Sequence, residues 1–123
     1  MSDPEHNPPN DLISITDENL LSNVAVAMDA IGGKWKLRII IAIAVGNKRF
    51  NEIQKQVKGI SGKVLSSELK NMAMSGLLIK KVENTYPVSI AYELSHSGQR
   101  LDEVVLSVAV WGKQHGKKIE NNR

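Results

Sequence analysis

The chain contains no cysteine among its 123 residues. Disulfides, a thiolate nucleophile and cysteine-ligated zinc are therefore excluded together. Histidine offers no substitute, because His6, His96 and His115 are separated in sequence and no two have helical or finger-type ligand spacing, so no metal is expected. The chain also lacks a Gly-x-Ser-x-Gly elbow and a phosphate-binding Gly-x-x-x-x-Gly-Lys-Ser/Thr loop. Its adjacent carboxylates, Asp17-Glu18 and Asp102-Glu103, diverge on a helix by roughly 100° and make no dyad by local geometry. No catalytic residue and no cofactor are expected, and the chain does not read as an enzyme. Nor is there an 18-residue apolar run: the densest stretch, residues 37–45, is interrupted by Arg38 and is too short to span a bilayer. The early acidic residues Asp3 and Glu5, with no basic residue near them, do not form a signal peptide. A cytoplasmic protein without membrane attachment is the expectation.

Basic residues are missing from one end of the chain as well. Residues 1–30 carry six acidic side chains and no Lys or Arg, whereas all 16 basic residues lie beyond residue 33 against seven acidic ones, a net +9 there. A basic body behind an acidic arm suits a polyanion, since clustered Lys and Arg displace phosphate counterions. On charge alone, a solvated basic surface remains the alternative. The length fits one domain, with about two thirds of the unfolded chain's surface buried.

Residues 1–16 hold three of the four prolines with Asn, Asp and Ser, and read as a flexible arm. Residues 17–119 read as a single domain. Thr16 or Asp17 can cap a helix whose apolar residues Leu20, Leu21, Val24, Ala27, Met28 and Ile31 recur every three or four positions, ended by Gly32-Gly33. Residues 34–45 are apolar almost all round, which predicts a central buried helix stopped by Gly46. Phe50, Ile53 and Val57 predict a short amphipathic helix closed by Lys58-Gly59. Ser61 is the expected N-cap of the next helix, which buries Leu65, Leu69 and Met72 and turns Lys63, Ser66, Ser67 and Lys70 the other way. Two helices joined by so short a turn, the second with an outward face of small and basic residues, form a helix-turn-helix pattern. Residues 78–83 and 90–94 then read as a hairpin, with Ile90, Tyr92 and Leu94 alternating against Ala91 and Glu93. Ser95 is expected to cap one long C-terminal helix with an apolar stripe of Leu101, Val104, Val105, Val108, Ala109 and Trp111.

The order Ile31-Gly32-Gly33-Lys34-Trp35, Lys48-Arg49-Phe50-Asn51-Glu52-Ile53, Gly59-Ile60-Ser61, Leu65, Leu69, Gly76-Leu77 and Tyr92-Glu93-Leu94-Ser95 resembles the HxlR family of transcription regulators, a branch of the MarR-like group. The resemblance spans roughly residues 20–115. It implies a mainly α winged helix-turn-helix with a small β-hairpin and additional N- and C-terminal dimerisation helices, binding double-stranded DNA as a homodimer. Many such regulators sense oxidants through an N-terminal cysteine, and that mechanism is chemically closed to this chain. Any signal must enter another way, and an unidentified small-molecule effector is one route.

On that frame the expected DNA-binding residues are Lys48, Arg49, Ser61, Lys63, Ser66, Ser67, Lys70, Lys80 and Lys81. The recognition-helix residues would reach base edges or phosphates, and Lys48, Arg49 and the wing lysines would hold the backbone. Arg49 can instead make a structural salt bridge. Trp35 reads as core. Ser89 stands where the family usually has Arg, and Ala91 where it has Glu, which implies a weaker or less selective wing. The expected dimer residues are Leu20, Val24, Leu101, Val105, Val108 and Trp111, since an exposed apolar stripe normally finds a partner. Two recognition helices would then meet a pseudopalindromic operator. The same fold can also serve as a protein–protein interaction module that never touches DNA, and fold alone does not decide between them.

Overall fold

The computed structural model describes residues 18–122. The arm expected at 1–16, its His6 and the cap expected at Thr16 or Asp17 lie outside the described residues. The chain divides into two compact units, one ending at Ala30 and one beginning at Ile31.

In the first unit the apolar periodicity produces helix α1, Leu20–Ile31, which has no buried residue. Leu20 is 38% and Val24 48% exposed.

The second unit is built on helix α2, Lys36–Ala44. Ile39, Ile40, Ala42 and Ile43 are buried on it, as expected for a central helix. Its other side is not covered: Ile41 and Val45 are exposed, because a domain this small cannot surround a helix completely. Helix α3, Phe50–Gln56, contributes Ile53, and helix α4, Gly62–Met74, contributes Leu65, Leu69 and Met72. With Val57, Ile60, Leu77 and Leu78 these side chains form one apolar cluster, against which Trp35, Phe50, Tyr92, Leu94, Leu101 and Val105 pack partly buried. Between α3 and α4 the chain reverses at Gly59, whose φ of +90° is a left-handed conformation that a side chain would strain. The terminal ring carbon of Trp35 lies close enough that a Cβ on Gly59 would touch it at 3.9 Å.

Strands β1, Leu78–Glu83, and β2, Ser89–Leu94, pair antiparallel from Leu78 opposite Leu94 to Glu83 opposite Ser89. β2 thus starts one residue earlier than the alternation suggested. Its backbone also reaches the segment before α3, where Tyr92 N–H donates to the Lys48 carbonyl at 2.8 Å. The hairpin is therefore tied directly to the entrance of α3.

The expected single C-terminal helix is two. Ser95 caps only helix α5, His96–Gln99, accepting from Gly98 N–H at 3.0 Å while its hydroxyl lies 2.5 Å from the Gly76 carbonyl oxygen. Arg100 and Leu101 then bond back by three residues, to Ser97 and Gly98, in a tight turn before helix α6, Asp102–Asn121. Just before the break, the missing side chain of Gly98 lets α5 press its backbone onto the Leu77 carbonyl. The stripe of residues 101–111 stays on α6 and its N-cap, but only its first part meets the core. Leu101 and Val105 pack partly buried on the core, whereas Val108 and Trp111 are exposed, as are Leu106 and Val110.

Candidate nucleic-acid interface

Helix α4 starts on its predicted cap, with Val64 N–H donating to Ser61 Oγ at 3.1 Å. That bond engages Ser61, although its side chain stays exposed at the helix entrance. Because Leu65, Leu69 and Met72 fix one face inward, Lys63, Ser66, Ser67 and Lys70 must project from the other, and all four are exposed. None has a side-chain partner among the described residues. Small hydroxyls between two ammonium groups leave this face open to base edges and phosphates.

The tilt of α4 is held from beneath by a contact the sequence did not reveal. Glu68 Oε1, shut off from solvent, lies 2.9 Å from Lys36 Nζ at the start of α2, a charge contact rather than a well-angled hydrogen bond. Both side chains are 19% exposed, so the pair is better shielded than an ordinary surface ion pair.

The two wing lysines go separate ways. Strand alternation puts Lys80 opposite Tyr92 on one face and Lys81 on the other. Lys80 lines a cleft of about 310 Å³ between α4 and the hairpin, shared with Ser66, Lys70, Met74 and Tyr92. Lys81 Nζ instead lies 3.0 Å from Glu93 Oε1. The fold therefore gathers Ser66, Lys70 and Lys80 around one basic cleft and leaves Lys81 outside it.

Arg49 sits at the entrance of α3 in extended conformation. Glu52 accepts the backbone N–H groups of Lys48 and Arg49 at 3.0 and 3.2 Å. The arginine side chain has no acceptor with which to return that bond, so it is free to reach away. It reaches the wing: Arg49 NH1 lies 2.8 Å from Glu83 Oε1 and also donates to Ser89 Oγ. This hydrogen bond from Arg49 is the main cause holding the Glu83 carboxyl below its ordinary range, with Ser89 and the charge of Lys48 adding to it. The salt bridge considered for Arg49 is thus present. Lys48 is exposed beside it.

A second basic group was missed. Lys34 Nζ lies 4.7 Å and the Arg38 guanidinium carbon 5.5 Å from the Trp35 ring centroid, so two cations cover the face of a half-buried tryptophan. Lys34 and Arg38 flanking Trp35 in sequence were the available signal. On the far side of α2, Ile40, Ile41, Ala44, Val45, Leu94, Gln99, Asp102, Val105 and Leu106 line a cavity of about 390 Å³. Among the described residues, no group of three His, Asp or Glu side chains is arranged to hold a metal ion. No helix among them is long and apolar enough to cross a membrane.

A helix pair with an unobstructed polar face, followed by a hairpin beside it, defines a winged helix-turn-helix protein. The comparisons agree. The HxlR-like helix-turn-helix family matches residues 30–120. An HTH-type transcriptional regulator of Methanothermobacter thermautotrophicus is 31% identical over 106 residues, covering 86% of this chain and 81% of that protein. The regulator YtcD of Bacillus subtilis is 30% identical over 97 residues, covering 79% and 77%. Among solved structures, ytcD superposes with a TM-score of 0.71 over 76% of this chain and 96% of its own, at 31% identity. The redox regulator HypR in its reduced form gives 0.74 over 80% and 98%, at 29% identity. The chain belongs to the HxlR-like helix-turn-helix family, whose members are DNA-binding regulators of transcription.

Proposed function

We propose that residues 17–119 act as one DNA-binding domain that recognises a pseudopalindromic operator as a homodimer. The observation that carries this reading is the exposed face of Lys63, Ser66, Ser67 and Lys70, continued by Lys80 across the basic cleft. In it α4 enters the major groove, Lys63 and Ser67 meet base edges, and Lys48, Arg49, Lys70, Lys80 and, more weakly, Lys81 hold phosphates. Exposed apolar residues on α1 (Leu20, Val24) and α6 (Val108, Trp111) support pairing of two copies through these helices. Leu101 and Val105, partly occupied by the core, contribute less to that contact. The apolar walls of the 390 Å³ cavity suit a small effector. Because thiols are absent, the redox chemistry in HypR's name has no cysteine to act on here.

Selection of bound sequences from random duplex DNA tests the proposal. A palindromic consensus with half-sites about one helical turn apart is expected. No enrichment of any sequence would overturn it in favour of an interaction module.

A further inference from the structure

The contact between Arg49 and the wing uses only one nitrogen of the guanidinium. Both Glu83 Oε1 and Ser89 Oγ are met by NH1. The Nε–H and NH2 groups form the opposite edge of the fork, and no partner takes them among the described residues. That edge matches two phosphate oxygens in a bidentate pair. Arg49 remains 46% exposed, so the edge is open to a ligand.

The brace is itself anchored. Glu83 and Ser89 face each other as the last register pair of the hairpin, and β2 is tied to the Lys48 carbonyl through Tyr92 N–H at 2.8 Å. Backbone at both ends of the Arg49–Glu83 contact is thereby fixed. A long flexible cation is held in one orientation before any ligand arrives, which removes much of the rotamer entropy it would lose on binding.

We propose that Glu83 is a positioning residue for DNA binding: with Ser89 it holds Arg49 by NH1 and presents the Nε–NH2 edge to a phosphate at the turn end of the wing. Arg49 is then a phosphate clamp and a structural ion pair at once. This rests on the DNA-binding reading above and adds to it an acidic residue that strengthens binding to a polyanion. Simple electrostatics gives the opposite sign, because a carboxylate near DNA repels it. That repulsion is weakened by the high dielectric around an exposed pair and by salt, whereas orientation acts at contact distance.

The test is a salt titration of binding to a short random-sequence duplex by the full-length protein and its Arg49→Ala, Glu83→Ala, Glu83→Gln and double Arg49→Ala/Glu83→Ala variants, with unfolding curves confirming equal folding. Arg49→Ala should flatten the plot of log affinity against log salt by about one unit. Glu83→Ala should lower affinity about three- to tenfold and flatten the plot in the same direction. Glu83→Gln, whose amide oxygen still accepts from NH1, should bind at least as well as the parent. In the Arg49→Ala background, Glu83→Ala should cause no further loss. Glu83→Ala binding as tightly as the parent, or weakening the Arg49→Ala protein equally, would overturn the proposal while leaving DNA binding intact. A parent protein whose binding shows no salt dependence would overturn the DNA-binding reading itself.

Discussion

Replacing Gly98 by alanine probes the contact that seats α5 against the start of the hairpin. A Cβ at this position would overlap the Leu77 carbonyl oxygen, with the carbonyl carbon 3.3 Å and Leu94 Cβ 3.5 Å away. The obstacle is backbone and cannot swing aside. Leu77 N–H is committed to the Met72 carbonyl at 2.9 Å, and Leu77 oxygen accepts from Ser95 N–H at 2.9 Å. Alanine gains about 1 kcal/mol of helix propensity over glycine. Against this stand overpacking of about 1–3 kcal/mol and the weakening of one or two hydrogen bonds at about 1 kcal/mol each. The net expectation is a loss of about 1–4 kcal/mol, or a fall in Tm of roughly 5–25 °C for a domain of this size. Gly112 and Gly116 in α6 supply the contrast, since a Cβ at either meets nothing within 4 Å. Alanine there should stabilise by about 0.4–1 kcal/mol each. Thermal unfolding followed by circular dichroism at one protein concentration compares the three variants. A Gly98→Ala protein as stable as the parent, or a Gly112→Ala protein equally damaged, would refute the packing argument.

Four further outcomes are expected. Ser67→Ala should reduce discrimination between operator and random DNA by about 1–3 kcal/mol with little change in salt slope; unchanged discrimination would remove Ser67 from base reading. Lys80→Ala should flatten the salt plot by about one unit and Lys81→Ala by clearly less, because Lys81 is paired with Glu93 outside the cleft; equal effects would contradict that division. Paired Val108→Ser and Trp111→Ser substitutions should shift sedimentation toward monomer without loss of helix, whereas an unaltered dimer would place the interface elsewhere. The Glu83 carboxyl is held low in the folded protein, so its contribution to stability is complete above the ordinary value of 4.5 and is lost as pH falls through the lowered one. The gap in urea midpoint between parent and Glu83→Gln should therefore be small at neutral pH, as for any exposed pair, and close on acidification; a gap independent of pH would contradict the assignment.

The sequence by itself determined the elements and the inward faces of most of them. Leu65, Leu69 and Met72 at helical spacing could be buried only by turning Lys63, Ser66, Ser67 and Lys70 outward, and Ser61 is the cap its residue type predicts. Alternation in 90–94 marked the hairpin but not its buried face, since Ala91 is buried and Ile90 exposed, and motif order marked the family. Such features are legible because each depends on residues within a turn or two of one another. Tertiary structure alone decided which charges meet. Glu83 reaching Arg49, Lys36 meeting Glu68 and Lys81 turning to Glu93 join residues whose approach depends on how separate elements dock. The division of Lys80 from Lys81 was implicit in strand alternation, yet only the placement of α4 beside one hairpin face showed which lysine enters the cleft. The long C-terminal helix failed for a related reason. Periodicity sees side chains, whereas the break at residues 100–101 comes just after a glycine with none, pressed against a carbonyl that arrives from the start of the other strand.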